Sequence, residues 1–284
     1  MIIHFFRERS KPRMDFYQLI DGYFDNLENC VIKSNDDEVE LKMNMSNFDF
    51  EYHFLITKRS RVSSLYRLNL EYSNINLLCE IPSVLPQYIS RLIFKQINEI
   101  CEKFDLAIYC DAFENIHQFD MFELITALGK ERARYLEEHE DIITYKVPMT
   151  VLNEMCRYQS SIDQLPSVVK GDVIVQKYNI LREKRTGVIC KSISWKVGTP
   201  TLFPPHLNYV QVEEEENLVA LIPIEIFYKY AEKLMNEVKD VDYKLLYLNE
   251  KTALKVKKLI KKMRKAVVSY TNFDEIKITN LIES

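Results

Sequence analysis

The pattern of apolar and polar positions is clearest in the stretch Asn74–Asp111. A first apolar run ends at Ile81-Pro82, and apolar residues then recur at helical spacing over Ile89–Phe104. This spacing predicts a helix with one apolar face, and Pro86 suits its first turn because the missing amide hydrogen costs nothing there. The run Leu106–Cys110 is too short for a helix and suits a buried strand. The stretch therefore predicts a βαβ crossover with two parallel strands.

A similar pattern recurs in Leu218–Asn249, after an acidic turn at 213–216. An apolar run again ends in Ile222-Pro223, a helical stripe covers Phe227–Val238, and Leu245–Leu248 suits a returning strand. The predicted class is α+β, with mixed β-sheets and βαβ crossovers covered by amphipathic helices. Two halves of similar layout suggest an internal duplication. The alternative is two unrelated crossovers in one α+β domain.

The domain organisation follows from a change of pattern between residues 141 and 171. Short apolar runs there are interrupted by Pro148 and Pro166, and the composition is not that of a flexible glycine-serine linker. We predict an N-terminal half at 1–140, a connecting segment at 141–171 and a C-terminal half at 172–284. The 284 residues suffice for a large core in either one or two domains.

The composition excludes several classes of protein. The chain has only five glycines, and no two are close enough for a dinucleotide-binding fingerprint, a Walker A loop or a nucleophile elbow. Its six cysteines form no C-x-x-C pair, so they predict buried free thiols and a reducing compartment. A net charge of −4 gives no general attraction to nucleic acid or to an anionic membrane. We expect a cytoplasmic protein without membrane insertion, cofactor or metal.

The loop after the first crossover is the one candidate for acid-base chemistry. Asp111, Glu114 and His117 lie there within a few residues of Asp120, beyond the end of a predicted strand. Ligand sites in α/β sheets often lie at such ends, and these residue types can serve as acid and base. Their spacing matches no zinc or calcium motif. The alternative is a polar loop in which Asp120 caps the following helix.

Two basic turns are candidates for contacts with phosphate. Arg59 and Arg61 lie in the first half, and Lys184 and Arg185 in the second. If a pseudo-two-fold axis relates the halves, these side chains would form one cationic groove for a phosphate backbone. The alternative is that they are ordinary cations of exposed turns. The basic stretch Arg7–Arg13 is interpreted as a solvated loop.

The proline-rich loop Gly198–Asn208 is the candidate surface for a protein partner. Trp195, Phe203, His206 and Tyr209 are concentrated around it. Aromatic side chains on a stiff irregular loop suit a protein contact or a lid over a pocket. The alternative is a packed loop that seals the edge of the sheet.

Two functional hypotheses follow from these patterns. The first is a non-catalytic protein-binding protein, such as an adaptor, an inhibitor or an immunity-type factor, that uses sheet edges and the proline-rich loop. It is favoured by the missing glycine motifs and the large number of Tyr and Phe residues. The alternative is a nucleic-acid-binding protein, or an enzyme with a phosphate substrate, that uses the basic turns and the Asp/Glu/His loop.

Overall fold

The computed structural model describes residues 1–62, 65–169, 171–213, 219–239 and 241–284. The chain divides into two compact units, Met1–Ile143 and Thr144–Ser284. The division lies inside the segment predicted to connect the halves, and residues from Thr144 onward belong to the second unit. Of the predicted acidic turn, residues 214–216 lie outside the described residues. Helices and mixed sheets occur together, so the predicted α+β class is confirmed.

The first unit is one β-sheet with helices packed against it. Its elements are β1 (Ile2–Glu8), α1 (Phe16–Gly22), β2 (Cys30–Ser34), β3 (Glu38–Met45), β4 (Phe50–Thr57), β5 (Tyr72–Glu80), α2 (Gln87–Phe104), β6 (Ala107–Tyr109) and α3 (Met121–Glu138). The strand order is β2-β3-β4-β5-β1-β6, and neighbouring strands are antiparallel. The β5-β1-β6 end of this sheet leads into the loop and helix described below.

The first predicted crossover is formed by β5, α2 and β6. Because β1 pairs antiparallel with both strands, β5 and β6 run parallel, as predicted, with β1 between them. Ile93, Ile97 and Ile100 of α2 are completely buried in the core of the sheet. Burial of each such side chain stabilises the fold by about 1.5–3 kcal/mol. The helix ends at Asp105, which has the left-handed backbone conformation common after a helix C-terminus.

The second unit combines a larger sheet with two small ones. Its elements are β7 (Tyr145–Val147), α4 (Met149–Ser160), α5 (Leu165–Val168), β8 (Asn179–Glu183), β9 (Ile189–Trp195), β10 (Thr201–Phe203), β11 (Tyr209–Glu213), β12 (Val219–Pro223), α6 (Ile224–Ala231), β13 (Asn236–Glu237), β14 (Leu246–Leu248), α7 (Glu250–Lys257), α8 (Ile260–Met263), β15 (Val268–Ser269), β16 (Phe273–Ile276) and β17 (Leu281–Glu283). The larger sheet has the order β15-β12-β11-β9-β8-β16 and is mixed, because β9 and β11 are parallel. The small sheets are β10-β14-β13 and β17-β7.

The second predicted crossover is wrong in its last step. The returning strand β14 pairs with β10 and β13 rather than in the sheet that contains β12. The predicted long helix is also shorter, since α6 ends at Ala231 and the chain becomes extended again at Asn236. The short apolar run Leu246–Leu248 predicts a strand but does not indicate which strand it pairs with. In the structure its partner is β10, which lies in the proline-rich loop. The duplication is therefore not confirmed.

Candidate functional site

A cleft of about 390 Å³ opens between the loop that follows β6 and the first turns of α3. We call it the loop cleft. It is lined by residues 112–117 of the loop and by Phe122, Glu123, Thr126, Ala127 and Lys130 of the helix. Two of the predicted acid-base residues, Glu114 and His117, belong to this lining, whereas Asp111 does not.

Hydrogen bonds and apolar packing hold the loop in place. The main chain of His117 exchanges two hydrogen bonds with Ile108 of β6, at 2.9 and 3.2 Å. The side chain of Asn115 accepts a hydrogen bond of 2.8 Å from the amide of Asn69. Ile116 is buried in a small cluster that also contains Phe6 of β1. The loop is therefore a structured wall of the cleft.

The helical wall begins with a side-chain cap. The carboxylate of Asp120 accepts a 2.9 Å hydrogen bond from the amide of Glu123, which confirms the predicted cap of α3. This cap fixes the first turn of the helix. Phe122 is the second residue of that turn, and 77% of its surface is exposed although it lines the cleft.

The surroundings of His117 do not favour proton transfer. Its Nδ1 lies 2.8 Å from the carbonyl oxygen of Gln118, and its Nε2 lies 3.2 Å from a carboxylate oxygen of Glu123. The ring also packs on Phe113, with the centroids 4.2 Å apart. Each ring nitrogen thus has a protein partner, and together these contacts hold the ring in one orientation on the wall of the cleft.

Metal binding is not favoured at the loop either. Within the described ranges, no three His, Cys, Asp or Glu side chains form a group that could hold an ion. Asp111 is exposed and belongs to the surroundings of His4 on β1, where its charge acts on the imidazole. Asp111 is therefore not part of the loop-cleft lining that contains Glu114 and His117.

Trp195 and Phe203, the two largest side chains predicted to form the contact surface around the proline-rich loop, are buried. Trp195 and Phe203 are each only 1% exposed. They pack against Phe227 of α6 in a cluster of aromatic rings. These two side chains are therefore buried inside the second unit and form no exposed contact surface.

The other two residues of that prediction lie nearer the surface. Nε2 of His206 lies 2.9 Å from a carboxylate oxygen of Glu154 in α4, and His206 has the left-handed backbone conformation. Tyr209 is half-buried, with its ring edge-to-face on Phe273 at 5.5 Å. Burial raises the pKa of Tyr209 above its ordinary value. A binding role for these two side chains stays a prediction.

Local carboxylates accompany the predicted basic turns. The guanidinium of Arg61 lies 2.7 Å from a carboxylate oxygen of Glu38 on β3 and 3.3 Å from one of Glu80 on β5, two strands that flank β4. Arg59 beside it is exposed. Ion pairs at such distances weaken the field that either turn presents to a phosphate backbone.

The turn of the second unit is similar. Lys184 lies 3.6 Å from the carboxylate of Asp274 and also donates to the carbonyl oxygen of Thr271. Arg185 is exposed. A groove shared by the two turns stays a prediction.

An exposed apolar segment that the sequence pattern did not indicate lies beside the loop cleft. Tyr66 and Leu70 are 73% and 71% exposed, whereas Leu68 between them is buried. The hydrogen bond from Asn69 to Asn115 joins this segment to the loop. The alternation of the three apolar residues was the available signal. The alternation alone does not show which of these side chains is exposed to solvent.

Comparison with protein-family models, with curated proteins and with solved structures finds no match to this chain. Among the helices that the structure describes, none has the length and apolarity needed to cross a bilayer.

Proposed function

We propose that this protein is a non-catalytic protein-binding protein whose first unit contacts its partner at the loop cleft. One observation carries the proposal. Phe122 lines the cleft, is 77% exposed and stands on a capped first turn of α3. Burial of an aromatic side chain of this kind in an interface is favourable by about 1.5–3 kcal/mol. Aromatic side chains are also enriched among the residues that dominate binding energies.

The hydrogen bonds that hold the loop and the first turn of α3 in place also support a protein-binding function. His117, Asn115 and Asp120 each hold part of the site through hydrogen bonds, so little conformational freedom is lost on binding. The engaged ring nitrogens of His117 favour a binding surface over acid-base catalysis. Tyr66 and Leu70 extend the apolar surface along the segment tied to the loop.

The polarity of the lining indicates what the partner must offer. Glu114, Glu123 and Lys130 surround the apolar side chains Phe113 and Phe122. An apolar patch with charged groups of both signs around it is typical of protein-protein interfaces. The partner would place an apolar side chain against Phe122 and pair its own polar groups with the surrounding charges.

The test is capture of a partner with the full-length tagged protein from a lysate of its source cells. Wild type is compared with Phe122→Ser and with Leu254→Ser, a control that removes a half-exposed apolar side chain of α7. We expect one stoichiometric protein that survives a high-salt wash with wild type and with the control, and is lost with Phe122→Ser. Capture that Phe122→Ser leaves unchanged would refute the site. Release of nucleic acid alone by salt would favour the alternative function.

A further inference from the structure

A second cavity, of about 370 Å³, lies where β1 ends and the chain turns toward α1. We call it the basic pocket. Its lining shares no residue with the loop cleft. Four cationic side chains from one short segment line it: Arg7, Arg9, Lys11 and Arg13. The four cations of Arg7–Arg13, which the sequence pattern assigned to a solvated loop, therefore line a single pocket.

Arg7 is the most informative residue of the pocket. Its Nε is buried and has no hydrogen-bond partner, and its Nη1 contacts the thioether sulfur of Met14 at 3.3 Å. A thioether is a weak acceptor, and a buried N–H group without a hydrogen-bond partner is unfavourable. Arg7 as a whole is partly buried. In the described part of the chain, Arg7 forms no ion pair. Arg7 therefore contributes to the pocket wall a partly buried guanidinium that no described carboxylate pairs with.

The other cations leave positive charge in excess. Arg9 donates through Nε to the carbonyl oxygen of Tyr72, and neither Arg9 nor Arg13 has an ion pair with a described residue. Lys11 pairs with Asp105 at 2.7 Å. This lysine, and to a smaller extent Arg7, lowers the pKa of Asp105.

One carboxylate also belongs to the lining. Glu8 accepts a hydrogen bond from Ser10 and stands among the four cations. Because Asp105 is paired with Lys11, the single negative charge of Glu8 remains against the three positive charges of Arg7, Arg9 and Arg13. Such a concentration of positive charge contrasts with the net charge of −4 of the whole chain.

We propose that the basic pocket binds the phosphate group of a small phosphorylated molecule. Guanidinium groups bind phosphate through paired charge-assisted hydrogen bonds, and Arg7, Arg9 and Arg13 all line this pocket. The volume lies in the range of small-molecule sites. Phe16 and Ile75 supply apolar wall for the organic part of the ligand. This site is independent of the protein contact proposed at the loop cleft.

The test is calorimetric titration of the full-length protein with inorganic phosphate, pyrophosphate and ATP at constant ionic strength. Wild type is compared with Arg7→Gln, with Arg13→Gln and with Lys95→Gln. Arg13 is exposed, so its substitution should leave the fold intact. Lys95 is an exposed cation of α2 outside the pocket, and its substitution removes the same charge.

We expect saturable one-to-one binding that either arginine substitution weakens about tenfold or more and that Lys95→Gln leaves unchanged. Saturation by ATP but not by inorganic phosphate would identify an organic phosphate as the ligand. No saturation by any of the three probes at millimolar concentration overturns the proposal. Equal weakening by Lys95→Gln also overturns it, because binding would then follow net charge. A single-stranded oligonucleotide that binds where the small phosphates do not would replace it with nucleic-acid binding.

Discussion

The rings of Trp195 and Phe227 meet edge-to-face with their centroids 5.4 Å apart. This contact joins the end of β9 to α6, and Phe203 of β10 completes the cluster. The indole nitrogen of Trp195 donates to the carbonyl oxygen of Thr199 at 3.1 Å. Both the apolar ring and its polar atom are therefore satisfied inside the second unit.

Trp195→Ala should lower the free energy of unfolding by about 3–5 kcal/mol, because it leaves a large cavity among aromatic rings. Trp195→Phe should cost less, since most of the ring packing is kept. The measurement is urea unfolding followed by far-ultraviolet circular dichroism, because the substitution removes the one tryptophan of the chain. Val188→Ala, at an exposed position, is the control and should stay within about 0.5 kcal/mol. Equal losses of stability in Trp195→Ala, Trp195→Phe and Val188→Ala would contradict a stabilising role of the aromatic cluster.

The thiols should differ sharply in reactivity. Burial raises the pKa of Cys101 to about 12 and that of Cys110 to about 11, whereas Cys30 is only partly buried. Because the thiolate is the reactive form, a thiol reagent at about pH 8 should modify Cys30 first in the native protein. Cys30→Ser should leave the native protein nearly unreactive, and urea should expose the remaining thiols. Several fast-reacting thiols in native Cys30→Ser would contradict the burial.

His4 should make the first unit less stable at acidic pH. Burial lowers its pKa below the ordinary 6.5, with Asp111 opposing the shift and Arg61 adding to it. The unfolded chain then binds a proton more readily than the folded one. Stability from this group is complete above pH 6.5 and is lost as the pH falls through the folded pKa.

The comparison is of urea unfolding midpoints at about pH 5 and about pH 7.5, for wild type and His4→Gln. All other side chains are identical in the two proteins, so the difference between the two proteins isolates His4. We expect a smaller loss on acidification in His4→Gln. An equal or larger loss would show that His4 does not couple folding to pH in this way.

The cap of α3 should contribute measurably to stability and to the proposed binding. Asp120→Ala should cost about 1 kcal/mol in urea unfolding, because the amide of Glu123 loses its acceptor. Asp120→Asn keeps an acceptor oxygen and should recover most of that cost. Weaker partner capture by Asp120→Ala than by Asp120→Asn is expected if the capped turn positions Phe122. No difference in stability between the two variants would contradict the cap.

Parts of the candidate site were predictable because they depend on neighbouring residues. Asp120 could be identified as a cap from its place before an apolar periodic run. Glu114 and His117 could be placed in a polar loop beyond a strand. The exposure of Phe122 and the burial of Trp195 could not be predicted, because an aromatic residue at the edge of a loop suits either environment. Which one it adopts depends on elements distant in the chain.

The local elements follow from the order of the residues, since periodicity and prolines act over a few residues. The apolar face of α2 and its start after Pro86 follow from that pattern alone. Strand pairing, in contrast, depends on contacts between segments that are distant in the chain. β1 lies between β5 and β6, and the carbonyl oxygen of Met1 accepts a 3.0 Å hydrogen bond from the amide of Ile81. Leu246–Leu248 pairs with β10 instead of joining the sheet that contains β12. Such pairings satisfy backbone groups far apart in sequence, so a short apolar run does not encode them. The same long-range packing brings the cations of Arg7–Arg13 around one pocket against β5.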